Sequence, residues 1–203
     1  MMTVRLRTSA RNMETKKEIR SRLKKQRSLM SADECRSMSH EIYKRLTALE
    51  LDRDYDNILL YSAIRNEVNT DEYFACLINK AKRIYYPRVC GDEMSFYRVR
   101  SLDELNCGSF NINEPDMTDE YTEADGRALM IVPGLGFSDT GYRIGYGKGF
   151  YDRYLSSFTK RDTVTAVGVG YDFQLLSSVT FEDEYDVPLD GVITDKREVF
   201  IDD

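Results

Sequence analysis

Apolar positions along this chain recur at helical spacing in some stretches and as continuous runs in others. Ile19, Leu23 and Met30 stand among charged residues, which predicts a helix over residues 14–30 with those three inward and Lys16, Lys17, Arg20, Lys24 and Arg27 over the remaining surface. Ser31-Ala-Asp-Glu34 is a capping-box pattern. It opens a second helix whose stripe is Cys35, Met38, Ile42, Leu46 and Leu49. Residues 57–64 read as a buried strand, and Thr70 as the cap of a third helix carrying Tyr73, Phe74, Leu77, Ile78 and Ala81. Further strands are predicted over residues 83–89, 94–99, 128–132, 163–170, 191–194 and 198–201. Residues 101–127 are mostly irregular. Their six carboxylates between 114 and 125, without a lysine or arginine, mark a solvated connector.

Helices alternating with apolar strands give an α/β fold: one three-layer α/β/α sandwich, its largely parallel, Rossmann-like sheet covered by helices on both faces. Residues 14–203 are assigned to this single domain, and residues 1–13 to a disordered N-terminal extension.

The densest pattern runs from Ile131 to Leu155. The apolar run Ala128–Val132 ends at Pro133-Gly134, and six glycines follow it: Gly134, Gly136, Gly141, Gly145, Gly147 and Gly149. Lys148 lies among them, with Arg143 just before the last three. After Gly149 the pattern turns helical, Phe150, Tyr154 and Phe158 sharing a face. Glycines bring backbone N–H groups close to a ligand. A helix start adds unpaired N–H groups, and two cations add full charge. Strand, glycine loop and helix in that order make an anion site, with a nucleotide phosphate as the anion. Neither standard phosphate motif fits: Gly149 follows Lys148 where a P-loop needs Ser or Thr, and 145, 147 and 149 are spaced G-x-G-x-G. A plain surface loop is the rival reading, and the bracketing by Arg143, Lys148 and Asp152 speaks against it.

Composition narrows the chemistry. The chain has 203 residues, 41% of them hydrophobic, and no apolar run approaching the ~20 residues a bilayer needs. Its N-terminus lacks an apolar signal core, so a cytoplasmic protein is expected. Cys35, Cys76, Cys90 and Cys107 are not spaced for zinc, and His40 is the single histidine. Zinc, Ser-His-Asp and Cys-His chemistry are therefore disfavoured, and His40 is read as a surface residue. Residues 1–30 hold ten Lys/Arg against two Asp/Glu in a chain of net charge −6. That run is either a solvated helix face or a polyanion-binding one. Lys16 and Arg20, four apart, repel unless an anion lies between them.

Triphosphates normally bring magnesium, which takes hard oxygen ligands, often one or two carboxylates with phosphates and water. Asp152 and Asp186 are the candidates. Asp152 alternatively complements the helix dipole, and Asp186 alternatively ends a loop. Glu67 falls at the carboxyl end of a strand, where open α/β sheets bind ligands.

Residues 133–155, PGLGFSDTGYRIGYGKGFYDRYL, resemble the signature of the 5-formyltetrahydrofolate cyclo-ligase family. The likeness extends to Lys16 and Arg20 in KKEIRSRLKKQRSLMS, to Asn66-Glu67, Tyr86-Pro87-Arg88, residues 111–115, 167–174 and 186–190. One departure stands out: the family commonly has aspartate after the phenylalanine, where this chain has Ser138, and Asp139 comes one later. No role is assigned there. The resemblance implies ATP- and Mg2+-dependent conversion of 5-formyltetrahydrofolate to 5,10-methenyltetrahydrofolate, with release of ADP and phosphate. It implies catalytic Arg143 and Lys148, and ATP contacts from Lys16, Lys17, Arg20, Arg143, Ile144, Gly145, Tyr146, Gly147, Lys148, Gly149, Phe150 and Tyr151. It implies folate contacts from Ser62, Glu67, Tyr146, Gly147, Lys148, Gly149 and Phe150, and a magnesium site of Asp152 and Asp186. Tyr146 and Phe150 alternatively pack in the core. The expected partners are folate and ATP, with no nucleic acid and no membrane, in a monomer or weak homodimer. The rival functions are an ATP-independent sugar-phosphate isomerase or acyl-CoA transferase-like enzyme, and a polyanion binder using the basic helix.

Overall fold

The structure is a computed structural model that describes residues 14–159, 163–177 and 183–201. The extension expected over residues 1–13 lies outside the described residues. Two helices open the chain, α1 (Lys16–Ser28) and α2 (Ala32–Ala48). Both begin with a complete capping box, Thr15 with Glu18 and Ser31 with Glu34. Then follow β1 (Asn57–Leu59), α3 (Asp71–Asn79), β2 (Arg83–Cys90), β3 (Glu93–Arg98), the short pair β4 (Asn106–Cys107) and β5 (Asn113–Glu114), and β6 (Ala128–Pro133). After β6 come β7 (Gly136–Ser138), β8 (Arg143–Ile144), α4 (Phe150–Ser156), β9 (Val164–Val169), β10 (Leu175–Leu176), β11 (Gly191–Ile193) and β12 (Glu198–Phe200).

Seven strands form the main sheet in the order β12-β11-β9-β6-β1-β2-β3. Its five central strands pair parallel, and only the edge strands β3 and β12 run antiparallel to their neighbours. Period-two alternation sorts the strand side chains between the two faces. Ile58, Ile84, Leu129, Ile131 and Val167 face the side covered by α2 and α3, through Ile42, Leu46, Tyr73 and Leu77. Leu59, Tyr85, Met130, Val132 and Ala166 face the other side, against Tyr154 and Leu155 of α4 and Phe158 beyond it. The expected α/β sandwich with helices on both faces is the observed one. Among the described residues no helix is long and apolar enough to cross a membrane.

Several local expectations are corrected. The strand expected over residues 57–64 stops at Leu59; Leu60 still donates to the Tyr85 carbonyl, and then loop bonds take over. The Thr70 hydroxyl donates to the Tyr61 carbonyl and the Tyr61 hydroxyl to the Val68 carbonyl. Thr70 therefore occupies the cap position of α3 without capping it; Asn69 accepts from the Asp71 N–H instead. Residues 101–127 are not solvated throughout. Glu114 and Tyr121 are buried, and Glu114 accepts from the Ser109 and Val89 N–H groups. Arg27, expected on the surface, is 2% exposed, one turn on from Leu23 on the inward face of α1.

Strand order positions the site. From β1 the chain moves outward to β2 and β3, then returns to the other side of β1 as β6 and continues to β9 and β11. The carboxyl ends of β1 and β6 flank the point where this order reverses, and such crevices take ligands in doubly wound sheets. Glu67 follows β1 and the glycine loop follows β6.

Phe137 seals the floor beneath that loop. Its ring is fully buried, and a Cβ added at Gly134, Gly168 or Gly170 would fall 2.6, 2.6 or 2.8 Å from it. Gly168→Ala should therefore lower stability by about 1–3 kcal/mol through overpacking, and Phe137→Ala by about 3–5 kcal/mol. Both are read from the urea midpoint at constant slope. An unmoved midpoint for Gly168→Ala would show that the ring has room to shift.

Candidate active site

Between β6 and α4 the six glycines divide into two kinds. Four stand where a side chain would collide: Gly134 against Phe137, Gly136 against Leu23, Gly141 against the Leu189 carbonyl and Gly145 against Arg143. Gly147 has open space around it and φ of +98°; Gly149 has φ of +66°. These two need glycine for backbone conformation. Between them Lys148 is exposed, and among the described residues its ammonium has no bonded partner. The following helix α4 has only seven residues, with Gly149 as a left-handed cap. The loop's positive character thus rests on Lys148 more than on a helix end.

α1 lies against this loop, Ile19 and Leu23 packing on Leu135 and Ile144. Arg20 Nε donates to the Gly145 carbonyl at 3.0 Å. Lys16 Nζ reaches both Asp183 and Asp186 at 2.5 Å. Burial lowers the Lys16 pKa, but the hydrogen bonds to the two carboxylates outweigh it and the net shift is upward. The Lys16–Arg20 repulsion is thus relieved by protein carboxylates and a carbonyl. Lys17 is exposed. Arg22 pairs with Glu14 and Arg27 is buried, so much of the basic run is already engaged.

Arg143 is 9% exposed and pairs with Asp152 at 2.9 Å, its guanidinium 5.1 Å from the Tyr151 ring. Its charge is thus partly neutralised within the protein. Asp152 and Asp186 each have Oδ2 engaged, by Arg143 and by Lys16. Among the described residues no group of three or more His, Cys, Asp or Glu could hold a metal. The donor set does not suit an all-protein metal cage. Each carboxylate has a second oxygen, the hard kind of ligand that magnesium takes alongside water and phosphate.

Opposite the loop, Glu67 is buried. Its Oε1 accepts from the Tyr146 hydroxyl at 3.0 Å and lies 3.6 Å from Arg27, and its Oε2 accepts from the Ile64 N–H. Arg27 also donates to the Gly134 carbonyl and to the Tyr146 hydroxyl. Burial raises the Glu67 pKa, opposed by Arg27, the Ile64 N–H and Tyr146. Burial, with the Glu67 charge, pushes the Tyr146 phenol up to about 12, so it stays protonated and donates. A cleft of about 450 Å³ opens beside Glu67, lined by Cys35, Arg36, Ser39, Ile64, Arg65 and Asn66 among others.

The structure therefore groups Arg20, Gly145, Tyr146 and Glu67 directly, and links Lys16 to Asp186 and Arg143 to Asp152. Three residues stand apart from their expected contacts. Ile144 is a core residue, 1% exposed, so only its backbone faces the loop. Ser62 donates to the Asn113 carbonyl. Phe150 packs on the α4 side of the sheet, as the core alternative held, with Arg153 over its ring. His40 sits at the surface with Glu72. Arg27 and Asp183 were not anticipated. The signal for Arg27 was its spacing of four and eight from Leu23 and Ile19; for Asp183 there was only an acidic loop.

The sequence pattern of the 5-formyltetrahydrofolate cyclo-ligase family matches residues 12–195. A 5-formyltetrahydrofolate cyclo-ligase of Mycoplasma pneumoniae is 30% identical over 183 residues, covering 89% of this chain and 99% of the relative. One from Mus musculus is 27% identical over 188 residues, covering 88% and 92%. Among solved structures, the 5,10-methenyltetrahydrofolate synthetase of Aquifex aeolicus superposes with a TM-score of 0.79 at 34% identity, covering 93% of each chain.

Removing one partner of the buried Arg27–Glu67 pair strands the other's charge. Arg27→Met should cost about 3–5 kcal/mol in chemical unfolding; a loss under about 1 kcal/mol would show that the pair is not held. Because the folded Glu67 pKa is raised, its contribution to stability is fully present below the ordinary value of 4.5 and is lost as pH rises through the folded value. Glu67→Gln should flatten that decline toward neutral pH; an unchanged slope would place the effect elsewhere.

Proposed function

The chain belongs to the 5-formyltetrahydrofolate cyclo-ligase family, and we propose that it closes 5-formyltetrahydrofolate to 5,10-methenyltetrahydrofolate at the expense of ATP. The formyl oxygen is a poor leaving group. Attack of that oxygen on the γ-phosphorus breaks the bond to ADP and leaves a phosphorylated formyl group. N10 then attacks the activated carbon and gives up its proton to solvent, the C–O bond breaks, and inorganic phosphate departs. Such a reaction asks the protein for positioning and for charge on the moving phosphoryl group.

The observation that carries this reading is Lys148: exposed, without a bonded partner among the described residues, and set between two left-handed glycines at the switch point of the sheet. Lys148 takes the phosphates. Arg20 holds the Gly145 carbonyl, which steadies the backbone of Gly145, Gly147 and Gly149 against them. Lys16 and Lys17 add charge from α1. Arg143, braced by Asp152 and Tyr151, stabilises charge on the transferring group. Asp152 and Asp186 each offer an oxygen to magnesium, which when bound neutralises phosphate charge. Glu67 and Tyr146 face the folate beside the cleft; a carboxylate has about four acceptor sites, so Glu67 can still accept from a pterin N–H. No nucleophilic cysteine or histidine is needed.

Lys148→Ala should lower turnover about 10²–10³-fold, the scale of losing one charge-stabilising donor, in a chain whose circular dichroism is unchanged. The near-ultraviolet absorbance of the methenyl product should appear only when 5-formyltetrahydrofolate and Mg-ATP are both present. A Lys148→Ala chain with parental turnover would remove this role, and product formation without ATP would favour an ATP-independent enzyme.

A further inference from the structure

Tyr146 is pinned through its hydroxyl by Arg27 and Glu67, so its ring is a fixed platform. Two further cations from separate segments lie over that ring. Lys24, on α1, has Nζ 5.1 Å from the ring centroid, and Arg65, after β1, has its guanidinium carbon 5.6 Å away. The Arg27 guanidinium, at 5.7 Å, is balanced by Glu67. Lys24 and Arg65 are both exposed, and among the described residues neither forms an ion pair with a carboxylate, unlike Lys16, Arg22 and Arg143; the Arg65 charge is felt by Glu67 without a bond between them.

The backbone holds Arg65 there against its own preference. Arg65 and Asn66 have φ of 50° and 60°, in the left-handed region. Asn66 compensates locally, its amide donating to the Arg27 and Met30 carbonyls. Among the described residues the Arg65 side chain makes no such bond; what its position achieves is a guanidinium over Tyr146. Attraction to the aromatic face explains why each cation rests on the ring. It leaves their mutual repulsion only partly offset, because the Glu67 carboxylate is already engaged by Arg27 and Tyr146. An oxyanion between them would end that repulsion and accept charge-assisted hydrogen bonds from both.

We propose that Lys24 and Arg65 form an oxyanion clamp on Tyr146, which receives either a carboxylate of the folate tail or a phosphate oxygen of the nucleotide. This rests on the ring-closure reading for the identity of its ligands.

Calorimetric binding tests it without requiring turnover. The parent chain, Lys24→Ala, Arg65→Ala and their double variant are each titrated with 5-formyltetrahydrofolate, with 5-formyltetrahydropteroate, which lacks the glutamate, and with Mg-ATP. Lys25→Ala serves as a control of equal charge change. The double variant should bind one ligand at least about fivefold more weakly, an effect that shrinks in high salt. Loss confined to the glutamate-bearing folate identifies a carboxylate; loss on Mg-ATP identifies a phosphate. Parental affinity for both ligands in the double variant, an equal loss in Lys25→Ala, or a parent chain that binds neither ligand overturns the clamp. A parent chain that binds both and forms no product overturns the ring-closure reading and leaves the clamp standing.

Discussion

One buried guanidinium ties the site together. Arg27 comes from α1, yet its side chain touches the Gly134 carbonyl at the end of β6, the Tyr146 hydroxyl in the glycine loop and the Glu67 carboxylate after β1. Its own carbonyl accepts from Asn66, next to Glu67. Burying a guanidinium is costly unless its donors and charge are satisfied. Here they are satisfied only when the three segments meet. Closing the crevice and neutralising Arg27 are the same event, which is why the first helix, peripheral to the main sheet, can be integral to the site.

The glycines serve two different physical needs in one stretch of chain. Gly134, with Gly168 and Gly170, lets the Phe137 ring lie against backbone, so the floor of the loop is closely packed. Gly147 and Gly149 let the chain turn through left-handed conformations and leave Lys148 at the apex. A packed floor under a loop whose Lys148 has no bonded partner among the described residues suits a reaction in which positioning and charge do most of the catalysis.

Charge follows the same division. Several cations have a carboxylate or carbonyl of the protein beside them: Arg143 has Asp152, Lys16 has Asp183 and Asp186, Arg20 has Gly145. Around Tyr146 and at Lys148 positive charge is left over. Among the described residues of the basic N-terminal run, Lys16, Arg20, Arg22 and Arg27 have partners within the protein, while Lys17, Lys24 and Lys25 have no carboxylate partner.

Much of this was legible in the sequence because it depends on local order. The alternation of apolar runs with amphipathic stripes determined an α/β sheet covered on both faces, and the Ser31–Glu34 box determined where α2 begins. Pro133 and the glycine run marked the end of β6 and the loop that follows it. What pairs with what was beyond it. The residues that decide whether Arg27 is buried, whether Asp152 faces a cation and whether Ile144 is core lie from 9 to more than 100 positions away from their partners in the chain. Spacing puts Arg27 on the inward face of α1 with Ile19 and Leu23, but it carries no information about which residues meet it there. Only the tertiary structure, by bringing α1 across the carboxyl ends of β1 and β6, decided which charges are neutralised within the protein and which remain for a ligand.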